Sequence, residues 1–312
     1  MKVFKNRAVV FVMVLFFVTV LSCGNEEEGL KVDLDKKTLD VGQLVKTIDI
    51  GKSLTFCFDR RLAPREEIKI YESFLDYLEK KTGLVFTLLF SDDYQETIKN
   101  IGTGNAQFAI IGGLSFLKAE YDYGVRMLVK GLDRNKKEGY RAAIIVKKDS
   151  PIKNLSMLKG SSFVFGSRYS TQGHLIPRYM LEKEGILLGD LKKYSFTDSH
   201  WNCAKAVIKG DASAGGIQDE LAFRLEKDGD IEIIALSDYY PRSGIAVNKD
   251  VSEEIADKVK TTLLQFDPAG KHKDMLTGWD KTEMSGGFSD VGPQNYDVLK
   301  KIAEKYRLLG DN

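Results

Sequence analysis

The sequence predicts an α/β protein built as two similar lobes, and three observations carry that prediction. Short apolar runs alternate with amphipathic ones from about residue 48 to near the end of the chain. Strands alternating with helices favour parallel-sheet α/β architecture. The alternation runs through two cycles that meet at Ser150-Pro151, as expected if the chain passes twice between two lobes. The composition, 312 residues with 43% hydrophobic, 29% charged and 6 Pro, is that of a folded chain rather than a disordered or fibrous one. At roughly 100–200 residues per domain, the length suggests about two domains.

In the first cycle, Ser53–Phe58 is expected as a strand and Glu66–Lys81 as a helix. Tyr71, Phe74, Leu75 and Leu78 recur there at spacings of three and four, and Gly83 stands at the C-terminal cap. Val85–Phe90 is the next strand, Asp93–Ile101 a short helix, and Phe108–Ile111 an apolar strand ending in Gly112-Gly113. A helix begins at Leu114, and Arg141–Val146 is again a strand. The second cycle has a short helix at Leu155–Leu158, a strand at Ser162–Phe165 and a long helix to about Gly185. Then come Tyr194–Phe196, a helix at Trp201–Lys209, an apolar segment at Ala212–Ile217, a helix at Asp219–Lys227 and a strand at Ile231–Leu236. Ser243–Val247 leads back toward the first lobe. Ser252–Phe266 is an amphipathic helix with Ile255, Val259, Leu263 and Leu264 on one face. Beyond Phe266 the pattern names no role for Trp279 or Gly286-Gly287.

The amino terminus sets the compartment. Lys2, Lys5 and Arg7 precede an apolar run from Ala8 to Leu21, followed by Ser22 and Cys23, the pattern of a secretory signal. The run falls short of the roughly 20 residues a spanning helix needs. Val20-Leu21-Ser22-Cys23 resembles a bacterial lipobox, in which the cysteine is acylated and becomes the first residue. Residues 1–22 are therefore expected as a lipoprotein signal peptide, and residues 23–48 as acylated Cys23 and a polar tether. The rest is expected to lie outside the inner membrane, in the periplasm or at the cell surface. Lobe one is expected at 49–147 plus 248–312 and lobe two at 148–247.

Lys+Arg 46 against Asp+Glu 45 is a near-neutral balance. It argues against nucleic acid, whose binders show a basic excess or stripe, and leaves room for one small anion site. Of three cysteines, Cys23 is claimed by lipid. Cys57 sits in the apolar run Leu54–Phe58, where a free thiol behaves as a small hydrophobe. No metal-ligand spacing links His174, His200 and His272, and His174 and His272 read as exposed helix residues. Cys203 and His200 are three apart on one helix, the spacing that would let a thiol–imidazole pair share a face. An enzyme is the minor alternative on that ground; the main expectation is binding without catalysis, cofactor or metal.

The most informative stretch is Phe163 to Pro177. A strand ends, the polar loop Ser167-Arg168-Tyr169-Ser170-Thr171 comes next, and a helix opens near Gly173. Hydroxyls at that place can cap the helix. They can equally join its free amides in an anion site, where the positive end of the helix dipole points outward. In a second stretch, Asp198-Ser199-His200 leads from a strand into a helix. In a third, Ala212-Ser213-Ala214-Gly215 runs on to Gln218-Asp219.

In this order the three stretches resemble the phosphate/phosphite/phosphonate-binding proteins of ABC importers, within the type II periplasmic binding fold. The counterparts are Ser170-Thr171-Gln172-Gly173-His174 with Pro177, Asp198-Ser199-His200 and Ala212-Ser213-Ala214-Gly215. They are joined by Tyr77–Gly83, Asp93-Tyr94, Gly112–Phe116, Tyr140 and Asp149-Ser150. The resemblance spans about residues 52–266. It implies a two-lobed receptor that closes on a small oxyanion and delivers it to an inner-membrane ABC permease, as a monomer held by its lipid anchor. Ser170, Thr171 and Gly173 would hold the anion, His200 would contact the ligand, Tyr140 would line the cleft, and Tyr94 would line it or pack. Ile111, Ala142 and Gln218 depart from the family pattern. Gln218, also expected to contact the ligand, stands where an acid is usual, which disfavours a ligand carrying an amine. A receptor of the same fold presenting its closed form to a membrane signalling protein is the alternative.

Overall fold

The computed structural model describes residues 53–62, 64–292 and 296–310. The signal peptide, Cys23 and tether expected for residues 1–48 lie outside the described residues.

Two sheets organise the chain. The first contains β1 (Ser53–Phe58), β2 (Val85–Leu88), β3 (Phe108–Ile111), β4 (Arg126–Leu132), β12 (Gly244–Val247) and β13 (Gly287–Asp290), in the order β13-β4-β12-β3-β1-β2. Around it stand α1 (Pro64–Thr82), α2 (Tyr94–Thr103), α3 (Gly113–Tyr123), α7 (Glu253–Leu264) and α8 (Asp297–Lys305). The second sheet contains β6 (Ala142–Lys147), β7 (Ser162–Phe165), β8 (Lys193–Phe196), β9 (Ala214–Gln218) and β10 (Ile231–Leu236), in the order β10-β6-β9-β7-β8. It carries α4 (Ile176–Lys183), α5 (His200–Lys209) and α6 (Asp219–Asp228). β1 runs parallel to β2 and β3, and β7 parallel to β8 and β9, while β12 returns antiparallel between β3 and β4. The two passages between sheets run side by side as β5 (Gly139–Tyr140) and β11 (Tyr240–Pro241), with Tyr140 opposite Tyr240.

Sheet membership moves the expected lobe boundaries. β6 belongs to the second sheet and β12 to the first, so each crossing falls one strand earlier than 147/148 and 247/248. The cause is local ambiguity. Ala142, Ile144 and Val146 face one core and Ala143 and Ile145 another, so the strand is apolar throughout. Such a strand carries no mark of which sheet it joins.

Central strands divide their side chains in the same way in lobe one. Phe56, Phe58, Phe108 and Ile110 meet α1 and α7, whereas Cys57, Ala109 and Ile111 face α2 and α3. The segment after α7 completes the first of these cores: Trp279 stacks on Phe74 with ring centroids 4.7 Å apart, and its indole N–H donates to the Met284 carbonyl at 2.8 Å. Burying aromatic side chains of this size supplies about 1.5–3 kcal/mol each. The tail beyond Phe266 is therefore structural, adding a strand, a helix and a core tryptophan to lobe one.

His174 and His272 are buried, not exposed as their sequence surroundings suggested. His272 packs between the rings of Phe266 and Tyr77, and its Nδ1 accepts the Asp267 N–H at 3.0 Å. His174 packs edge-on against Phe165 and Phe196, and its Nδ1–H donates to the Arg168 carbonyl at 2.6 Å.

Candidate functional site

β7 ends at Phe165 and the chain turns at once. The Gly166 N–H donates to the Gly173 carbonyl at 2.8 Å, closing the loop that contains Ser167–Thr171. Ser170 caps the next turn of chain: its Oγ accepts the Gly173 N–H at 2.9 Å, and its carbonyl accepts from His174 and Leu175, each at 3.1 Å. The second of these is the wide spacing of a π turn, Thr171–Leu175, which leads into α4 with Pro177 in its first turn. Single π turns of this kind concentrate at functional sites. Gly173 permits the arrangement. A Cβ there would sit 2.8 Å from Ser170 Oγ, 3.0 Å from Gly166 Cα and 3.2 Å from His200 Cε1.

His200 opens α5 behind its cap Ser199, whose Oγ accepts the Asn202 N–H at 3.2 Å. Its Nε2 lies 3.5 Å from Ser170 Oγ, and its Nδ1 is buried without a partner among the described residues. Burial, with Arg61 adding to it and Glu283 opposing it, lowers His200 to about 4. The ring is thus neutral, with one nitrogen to donate and one to accept.

Lobe one meets this loop with the start of α3. The Leu114 N–H donates to Thr171 Oγ1 at 2.8 Å, and Ser115 Oγ donates to the Tyr169 carbonyl at 3.2 Å. Two helix starts, one from each lobe, therefore face the same polar spot, and each favours negative charge. Just behind it lies a charged group assembled from distant parts of the chain. Arg61 donates from Nε to Glu283 at 3.1 Å, from Nη1 to the Asp59 carbonyl at 3.0 Å and from Nη2 to Ser243 Oγ at 3.0 Å, and Ser243 Oγ donates to Glu283. Glu67 holds the loop by accepting the N–H groups of Arg61 and Leu62. Asp59 Oδ2 accepts the Gly112 N–H at 2.8 Å and lies 3.7 Å from Arg61 Nη2. Burial raises Asp59 to about 6, with Arg61 and the Gly112 amide pulling the other way.

The sequence-predicted residues fall into three groups. Ser170, Thr171, Gly173 and His200 come together. Tyr94 and Tyr140 are buried beside the Arg61–Glu283 group, and burial holds both phenols protonated, far above their ordinary range. Gln218 stands apart, at the wall of a cavity of ≈ 410 Å³ that it shares with Arg141, Asp219 and Arg242; Ser170, Thr171 and His200 do not line that cavity. Its Oε1 is buried without a partner among the described residues. Arg168 is exposed, with its guanidinium 4.8 Å from the Phe196 ring centre. Sequence reasoning missed Asp59, Arg61, Ser243 and Glu283. For the first two a signal existed, because Asp59-Arg60-Arg61 comes directly after the apolar strand β1 and ligand sites of α/β sheets sit beyond the carboxyl ends of strands.

A family model described as the periplasmic substrate-binding protein of phosphonate ABC transporters matches residues 60–296. The chain belongs to this family. A phosphonates-binding periplasmic protein of Escherichia coli K12 is 28% identical over 268 residues, covering 76% of this chain and 79% of that protein. A phosphate-import protein of Mycolicibacterium smegmatis is 26% identical over 212 residues, 62% of this chain and 66% of that one. Among solved structures, PhnD1 of Prochlorococcus marinus in complex with methylphosphonate superposes with a TM-score of 0.73 at 20% identity, covering 82% of this chain and 99% of that one. The two-lobed type II periplasmic binding fold is thereby established for this chain. This family supplies the substrate-binding components of transporters. Cys203 Sγ lies 3.3 Å from the carbonyls of both Val164 and Gly216 instead of meeting His200, and burial pushes its thiol up to about 12. Burial likewise raises the Cys57 thiol far above its ordinary range.

Proposed function

We propose that this substrate-binding protein captures a small phosphorus oxyanion, of the phosphonate, phosphite or phosphate class, between its lobes and delivers it to an inner-membrane ABC permease. Cys23, acylated, anchors it to the membrane as a monomer. One observation carries the ligand assignment: the Ser170–Thr171 turn of one lobe and the start of α3 of the other meet at a buried polar spot, with a neutral His200 alongside. Backbone N–H groups, hydroxyls and an imidazole can together surround a tetrahedral anion without needing a free cation. Ser170, Thr171, Gly173 and His200 form this set, with Tyr94 and Tyr140 as flanking walls. Asp219, next to Gln218, is engaged through Oδ2 by Arg141 at 3.2 Å, while its Oδ1 is buried without a partner among the described residues. The glutamine at position 218, where the family pattern has an acid, favours small oxyanions over aminoalkylphosphonates.

The test is a thermal-shift panel of phosphate, phosphite, methylphosphonate, 2-aminoethylphosphonate and sulfate on the intact protein. A ligand at 100 times its Kd stabilises the native state by about 2.7 kcal/mol. A response to a phosphorus oxyanion that is lost in His200→Ala is expected. Silence across the panel overturns the assignment.

A further inference from the structure

We infer that Arg60 works as a swinging cation at the rim of the cleft: with the lobes apart it draws the anion in, and on closure it pairs with Asp198 of the facing lobe and shuts the ligand inside. This rests on the oxyanion reading above and adds how the anion enters and how it is retained.

Position comes first. Arg60 lies between Asp59 and Arg61, which are buried, while its own side chain is a quarter exposed. Its Nη1 donates to the Asp92 carbonyl, beyond β2, at 3.0 Å and lies 3.8 Å from Asp198 Oδ2, beyond β8. β2 and β8 are edge strands, each on the side of its sheet away from the strands that run into the β5–β11 crossing. The contact therefore spans the two lobes opposite the crossing, where rotation about it separates them most. Asp198 stands two residues before His200, and its Oδ1 accepts from the Asn202 side-chain amide at 2.6 Å. That bond fixes the carboxylate at the start of α5 and leaves Oδ2 for Arg60.

Charge gives the pair its two roles. Around Arg60 the rim of lobe one is acidic. Asp92, Asp93 and Glu96 gather at the start of α2, where Asp93 Oδ1 accepts the Glu96 N–H at 2.8 Å and Glu96 accepts the Asp92 N–H. Arg61, just behind, is committed to Asp59 and Glu283. Arg60 is thus the cation that offsets this rim, and a guanidinium keeps its charge at any working pH. With the lobes apart it has no Asp198 beside it and faces the entering anion. Opposite charge at a rim raises the encounter rate, and salt screens the effect. With the lobes together Asp198 neutralises it, so its pull on solvent anions ends as the ligand is enclosed. The closed pair is part exposed and adds little to the equilibrium by itself. It acts on the rates of entry and escape.

Stopped-flow binding of methylphosphonate, phosphite and phosphate to the intact protein tests this, with the fluorescence of Trp201, next to His200, as the signal. At low salt Arg60→Gln should associate about three- to tenfold more slowly than wild type, and its rate should lose most of its dependence on salt up to ~0.15 M. Arg60→Lys keeps the charge and should stay near the wild-type association rate. Asp198→Asn keeps an acceptor for Asn202 but weakens the closed pair. It should associate at least as fast as wild type and release ligand about two- to fivefold faster. An Arg60→Gln protein with the wild-type association rate and salt dependence, or an Asp198→Asn protein with unchanged release, overturns the inference and leaves the oxyanion reading standing. A wild type that binds neither methylphosphonate, phosphite nor phosphate overturns both.

Discussion

The Thr171 hydroxyl accepts the Leu114 amide hydrogen at 2.8 Å, so a loop of lobe two caps the first turn of a helix in lobe one. The bond joins residues far apart in sequence, and it exists only while the lobes lie against each other. The group expected to hold the ligand is thus also part of what holds the cleft together. On the proposed reading, Thr171 couples binding to closure, and a ligand favours closure by the difference in its affinity for the two states.

Thr171→Val keeps the shape and removes the hydroxyl. It leaves the Leu114 N–H unpaired and deprives an anion of a donor. Affinity for the responding phosphorus oxyanion should fall about 10- to 100-fold, the range of a hydrogen bond to a charged group. Thr171→Ser should stay within a few-fold of wild type. Titration calorimetry on both variants checks this, and a Val variant of wild-type affinity would mean that the loop does not hold the anion.

How much of the fold and the site is legible in the sequence depends on distance along the chain. The strands Phe108–Ile111, Ser162–Phe165 and Ile231–Leu236 stand at their expected bounds because each is an apolar run flanked by polar or glycine residues. β4 is not readable in this way, because Arg126-Met-Leu-Val-Lys-Gly-Leu132 mixes charge and glycine with no period of two; it is made a strand by β12 on one side and β13 on the other. The Ser170 turn and His200 are readable because each is a local pattern of strand, polar loop and helix start. Arg61 and Glu283 are not, since 222 positions separate them and each looks like an ordinary surface charge until the fold buries both.

That pairing sets a stability prediction. Removing one partner of a buried ion pair strands the other charge, at a cost of about 3–5 kcal/mol. Glu283→Ala should destabilise the protein by that order in urea denaturation, and Arg61→Met should do likewise. The double variant Arg61→Met/Glu283→Leu should recover part of the loss. Additive losses in the double variant would show that the two side chains act independently.

Acid sensitivity arises from the buried histidines. Burial holds both His174 and His200 near 4 in the folded chain, below the ordinary value of about 6.5. With the folded value depressed, the unfolded chain binds more protons between these limits. The stabilisation is therefore complete above about 6.5 and is lost as pH falls toward 4, by on the order of 3 kcal/mol per histidine. Asp59, Glu67 and Glu220 are raised by burial and act oppositely, losing stability as pH rises from about 4 through their folded values near 6 to 7. A comparison isolates one group: the Tm advantage of wild type over His174→Phe should shrink between pH 7.5 and 4.5. A pH-independent difference would show that His174 is not buried neutral.

A second tie between the lobes lies away from the site, at the end of α8. Glu182 of α4 accepts from Lys305 and from the Tyr306 hydroxyl, and Arg178 lies over the Tyr306 ring at 4.0 Å. The hydrogen bonds from Lys305 and Tyr306 hold Glu182 below the usual carboxylate range. At its other end α8 is fixed to lobe one, where Tyr296 packs on Phe116. Lys305 is half exposed, so the ion pair is screened and worth little alone. Its importance lies in position: α4 also carries the Ser170–Thr171 turn at its start. Contacts made only by the closed form multiply the population competent to bind, and apparent affinity scales with that population. Glu182→Ala should therefore weaken ligand binding about two- to fivefold without touching the ligand. It should also enlarge the ligand-free radius of gyration in solution scattering, while the liganded value stays at that of wild type. Glu182→Gln, which keeps an acceptor for Tyr306, should fall between. Unchanged affinity and scattering in the Ala variant would leave the Thr171–Leu114 bond and the ligand itself to set the closed state.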